Sequence, residues 1–196
     1  MKKQINQIRE FIWPLLEPIG KSEGQIALEP PIINIEEENI ELAFDLKIKI
    51  INNEEDRRKG IESKAALFLS TISIASSLII AANSVITGKV EISLMIRFSI
   101  LVSFVLSLYA IRTVWYSIKA LERKSFKIIC FPDFNIKGSK SEYQKSIIIK
   151  MNEYTKYNQL ITNEKIDFLT MAQEYYKRAI VIICLYTFLI CIYSFC

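Results

Sequence analysis

Three runs without charge dominate the pattern of apolar and polar positions. Ala65–Gly88 and Ala179–Cys196 carry no charged residue, and Ile92–Tyr116 is interrupted only by Arg97 and Arg112. A helix rises about 1.5 Å per residue, so about 20 apolar residues cross the hydrocarbon core of a bilayer. Only Lys89-Val90-Glu91 separates the first two runs, which predicts a transmembrane hairpin with spans at 65–88 and 92–116. Residues 179–196 are near the lower length limit for a span. Tyr175-Tyr176 and Lys177-Arg178 precede them, as interfacial aromatics and cations do, and a third span is expected there.

The polar stretches are organised around these spans. Ile147, Tyr154, Ile161, Phe168 and Tyr175 recur every seven residues within Ser141–Arg178, which predicts a long helix with a packed seam. Met151, Ala172 and Ala179 fall between them, and Asn158 and Lys165 interrupt that second stripe. Phe126–Lys140, with Pro132, Asp133, Asn135 and Gly138, reads as a loop. Upstream, Ile40, Leu42, Phe44, Leu46, Ile48 and Ile50 alternate as in a strand, whereas Ile40, Phe44, Ile48 and Ile51 fit one helix face. The absence of a strong breaker favours one helix running from residue 39 into the first span. Residues 1–38 form a peripheral segment. Its apolar residues Ile5, Ile8, Ile12 and Leu15 suit either a short helix on the membrane surface or packing on the chain's own helices. The expected fold class is all-α: a helical membrane protein with a two-span hairpin over 39–125, a loop at 126–140, and a long cytosolic helix running from 141 into the C-terminal span.

Positive charge gives this arrangement an orientation. Arg57, Arg58, Lys59 and Lys64 precede span one, Lys119, Arg123, Lys124 and Lys127 follow span two, and Lys177 and Arg178 precede span three. The positive-inside rule places residues 1–64 and 117–178 in the cytosol and the hairpin tip and C-terminus outside. Residues 1–64 hold 10 basic and 13 acidic side chains, net −3, and residues 117–178 hold 12 and 7, net +5. The two parts are expected to attract one another, or the basic part to face anionic headgroups.

Composition narrows the chemistry. The chain is 51% hydrophobic with 23% charged residues and a mean hydropathy of +0.24, the mark of segregated apolar and polar segments. It has no histidine and five glycines, which removes the commonest general base and metal ligand and leaves little material for phosphate loops. Cys130, Cys184, Cys191 and Cys196 form no CxxC pair. No nucleophile–base pair, carboxylate pair or metal-ligand spacing is visible. The expectation is a protein that is not an enzyme and uses no cofactor or metal, and no direct nucleic-acid binding is expected.

The remaining candidates lie in the spans. Ser70, Ser73, Ser77, Ala81 and Ser84 share a face of span one, and Ser99, Ser103 and Ser107 repeat the device in span two. Small residues let helices approach closely in lipid, so these stripes suit hairpin packing, an oligomer interface or a weakly polar pore lining. Arg97 and Arg112 must snorkel or find partners; in an oligomer, Arg97 would ring the outer mouth.

The run from Glu54 through Arg57, Arg58 and Lys64 to Leu67, with its Ile61-x-x-Lys64-Ala65 segment, resembles the approach to the membrane hairpin in small bacterial proteins of the SLATT and Pycsar-effector type. The long cytosolic helix after the hairpin adds to the resemblance; the third span departs from the simplest two-span form. The resemblance implies a bacterial inner-membrane effector of anti-phage defence and abortive infection. Such a protein works as a homo-oligomer downstream of a sensor or signal-producing defence protein, and disrupts the membrane when triggered. A nucleotide signal is compatible with this, although no binding motif is present. The alternatives are a membrane anchor or scaffold that recruits a soluble partner, and a small channel or transporter subunit.

Overall fold

The computed structural model describes residues 9–10, 12–14, 35–87, 94–135 and 138–195, with no strand among them. Three long helices carry the fold: α1 (Ile40–Thr87), α2 (Leu94–Leu121) and α3 (Lys140–Phe195). Short 3-10 turns occupy Glu37–Asn39 and Phe131–Phe134. The chain is all-α, and all three helices are long and apolar enough to cross a membrane. The hairpin tip, including Lys89 and Glu91, lies outside the described residues, as does most of 1–34.

α1 settles the ambiguity at 39–51 in favour of helix. Leu42, Leu46, Ile48 and Ile50 of the alternating pattern are exposed, whereas Ile40 and Lys47 are buried and Phe44 and Ile51 half-buried. Spacings of four, three and four define a helical seam, not a pleat. Glu37, Glu38 and Glu41 lie in the opening turns, where negative charge complements the helix dipole. Gly60 sits inside this helix, and a Cβ there would meet nothing within 4 Å. Gly60→Ala is therefore expected to stabilise α1 by about 0.5–1 kcal/mol, read as a raised thermal midpoint in detergent.

Two compact units share these helices. The apolar unit comprises Met1–Leu16, Ile61–Glu122 and Ile166–Cys196. Its core joins Ile72 and Ile79 of α1, Leu106 and Tyr109 of α2, and Met171, Tyr175, Ala179 and Tyr186 of α3. Ala65, Ala120, Ala172 and Ala179 are fully buried, so helix backbones meet at small side chains, as membrane bundles do. Leu78, Phe104, Ile111, Val181 and Phe188 are more than half exposed, forming the apolar outer surface that lipid requires.

Residues 12–14 pack on this unit. The Tyr109 hydroxyl donates to the Ile12 carbonyl at 2.8 Å and the Tyr175 hydroxyl to that of Pro14 at 2.6 Å. Trp13 sits edge-on to Tyr175 with centroids 5.6 Å apart, and the Arg112 guanidinium lies 4.8 Å over the Trp13 ring. Of the two expectations for the N-terminal segment, packing on the chain's own helices holds for these residues.

The polar unit comprises Glu17–Gly60 and Arg123–Lys165. The attraction expected from its opposite charges is realised at Lys140–Glu41, 3.0 Å apart, and Arg57 donates to Asn163 at 3.0 Å. Both contacts are exposed, so each contributes at most about 1 kcal/mol. Its buried line along α3 runs through Ile147, Ile148, Met151, Thr155, Thr162 and Lys165. The predicted stripe borders it: Ile147 is buried, whereas Tyr154 and Ile161 are half-buried.

Candidate functional site

A groove of about 500 Å³ opens in the polar unit between α1, the extended segment after α2, and α3. α2 ends at Leu121 because the chain turns out of helical geometry at Glu122. The loop expected from residue 126 thus begins four residues earlier. Residues 126–129 form one wall, Ile48 to Arg58 a second, and Met151 to Thr162 the third.

Asn158 fixes the first wall. Its side-chain amide accepts from the Lys127 backbone N–H at 2.9 Å and donates to the Lys127 carbonyl at 2.8 Å. One side chain thereby satisfies both backbone groups of a residue that has no helix or sheet to do so. Phe126 is held from two sides: Arg58 lies 4.6 Å over its ring and the Lys165 ammonium 5.9 Å from it. Asn158 and Lys165, which interrupt the apolar stripe in sequence, are the residues that face this segment.

A second fastening lies at the Phe131–Phe134 turn. The Asp133 carboxylate accepts from the Cys130 N–H at 2.9 Å, Lys150 Nζ at 3.1 Å and the Tyr154 hydroxyl at 3.3 Å. The Cys130 N–H, then Lys150, hold this carboxyl below its ordinary value. A depressed carboxylate contributes stability above its unfolded value of about 3.9 and loses it as pH falls through the folded one. The Cys130 amide is accordingly expected to stay protected from hydrogen exchange at pH 7 and 5 and to lose protection below about pH 3.9. Asp133→Asn should remove that pH dependence.

Most polar groups lining the groove are already engaged. Glu54 accepts from Arg57 and Gln159, Glu55 pairs with Lys59 at 2.8 Å, and Lys127 pairs with Glu153 at 3.1 Å. Thr155 and Thr162 donate to carbonyls of their own helix. Arg58 differs: beyond the Phe126 ring, no described residue accepts a hydrogen bond from its guanidinium. Among the described residues no group of three potential metal ligands comes together.

The other sequence candidates fall elsewhere. Ser70, Ser73, Ser77 and Ser84 are exposed, and each hydroxyl donates to a carbonyl of its own helix. Ser99 is buried against the Tyr186 hydroxyl at 2.6 Å, Ser103 is half-buried, and Ser107 is exposed. Ser99 thus joins a contact between α2 and α3, and the buried face of α1 carries Ile61, Ala65, Ile72 and Ile79. Arg97 and Lys64 are exposed. Arg57 bonds to Glu54 and Asn163, Phe168 is half-buried beside Tyr116, and Tyr175 is fully buried. The groove was missed in sequence because its walls are about 70 and 25 residues apart along the chain; the signals near it were the Arg57-Arg58 pair and the interruption of the α3 stripe at Asn158 and Lys165.

Comparison with protein-family models, with curated proteins and with solved structures finds no match for this chain.

Proposed function

We infer that this chain is an effector of the bacterial inner membrane that acts in anti-phage defence. It would sit with its N-terminus in the cytosol and its C-terminus outside, and breach the membrane as a homo-oligomer when a sensor or signal-producing partner triggers it. The defence assignment rests on the resemblance around Arg57, Arg58 and Lys64. The observation that supports an effector is the continuity of α1 and α3. Each is a single helix that joins a charged half to an apolar half, over 48 and 56 residues. A trigger acting on the charged half has an unbroken helix through which to bias the spans, provided it binds one state better than the other.

Copies would meet through the serine faces, on which Ser70, Ser73, Ser77, Ser84 and Ser107 are exposed. Replacing Ser73, Ser77, Ser103 and Ser107 together by Leu is expected to leave insertion intact and to abolish growth arrest on triggered expression. Growth arrest at the unaltered level in an inserted variant would contradict the reading. A second reading, an anchor that recruits a soluble partner, is favoured by the groove; it predicts arrest-free cells and co-purification of that partner.

A further inference from the structure

We propose that the groove of the polar unit binds an amphipathic anion, an aliphatic chain ending in a carboxylate or phosphate, with Arg58 as its anchor. Three observations converge. The volume of about 500 Å³ is that of a small-molecule site. The lining surface is mainly apolar, with Ile48, Ile51, Ile128, Ile129 and Met151 contributing to it. Finally, the polar groups of the lining select by elimination. Glu54, Glu55 and Lys127 have their charges matched by Arg57, Lys59 and Glu153, and Asn158 is occupied by the Lys127 backbone.

Arg58 is left with donors to offer. Phe126 covers it at 4.6 Å, so the guanidinium is partly shielded from water on that side, and Arg58 lines the groove. A planar guanidinium presents paired donors that match a carboxylate or phosphate. A cationic ligand would find only carboxylates that already hold partners, and a neutral one would leave Arg58 unanswered. The anion head therefore belongs at Arg58, and the chain runs along the isoleucines and Met151. Two sources carry this chemistry, a free fatty acid and an anionic membrane lipid. Binding requires neither a defence role nor a pore.

The test uses the full chain in phosphatidylcholine nanodiscs with a diazirine-bearing palmitate, its methyl ester as the uncharged control, and mass-spectrometric mapping of the cross-links. The acid is expected to label residues of the groove, such as Ile128 and Met151, and the ester to label them about ten-fold less or weaker still. Arg58→Gln is expected to lower acid labelling by about the same factor, because a charge-assisted hydrogen bond is lost. Lys49→Gln, an exposed charge of α1 outside the groove lining, should stay within about two-fold. Competition by phosphatidylglycerol in the discs would assign the occupant to a membrane lipid, and competition by oleate alone to a free fatty acid. Equal labelling by acid and ester in the unaltered protein would overturn the proposal whatever the variants do. So would unchanged acid labelling in a folded Arg58→Gln protein.

Discussion

Tyr175→Ala is expected to cost the apolar unit about 3–5 kcal/mol, the range for emptying a fully buried aromatic site. Tyr175 is 0% exposed and stands where three aromatic contacts meet. Its ring stacks on Tyr116 with centroids 5.7 Å apart, meets Trp13 edge-on at 5.6 Å, and lies 6.2 Å from Tyr109. Such pairs add to the area they bury. Its hydroxyl holds the Pro14 carbonyl, so the truncation also frees residues 12–14. Tyr175→Phe separates the two effects. It keeps the rings packed and removes one hydrogen bond, costing about 1 kcal/mol. Thermal unfolding in detergent should rank Ala far below Phe. Proteolysis near residue 12 should rise in both variants. Equal thermal losses would show that the hydrogen bond, not the ring, holds the unit together.

Asn158→Leu is expected to release the segment after α2 at a cost of about 1–3 kcal/mol, since two hydrogen bonds go and both backbone groups of Lys127 lose their partner. Leucine keeps the branched heavy-atom skeleton of asparagine and keeps α3 helical, so the effect should be local. Amide exchange at Lys127 should accelerate while exchange along the α3 interior stays slow. Asn158→Asp sharpens the test: it can still accept from the Lys127 N–H but cannot donate to the Lys127 carbonyl, and should recover part of the protection. Unchanged exchange at Lys127 in the Leu variant would contradict this role of Asn158.

The spans were legible because the absence of charge over about 20 residues is itself a property of sequence. The all-helical class followed from them, and α1 extended the helix through 39–51 because its seam spacing outweighs the apolar alternation. The α3 seam was legible in period but not in centre. The predicted stripe of Ile147, Tyr154, Ile161, Phe168 and Tyr175 is buried at both ends and half-buried between them. The most buried positions include Thr162, Lys165, Ala172 and Ala179. Hydropathy undervalues such residues. Alanine is buried where helices approach closely, and Asn158 and Lys165 are turned inward because the segment at Phe126 and Lys127 supplies what they face. That segment follows α2, and nothing local in α3 announces it. Arg112 and Trp13 show the same limit, since each reads as interfacial alone and they meet only in the fold.

The most direct measurement for the central claim is the membrane potential of bacteria expressing this chain together with the sensor that the proposed function requires, followed by a voltage-sensitive dye alongside growth. The effector account predicts that the potential collapses on triggering, before growth stops, and holds without the trigger. Growth arrest with the potential steady would contradict it.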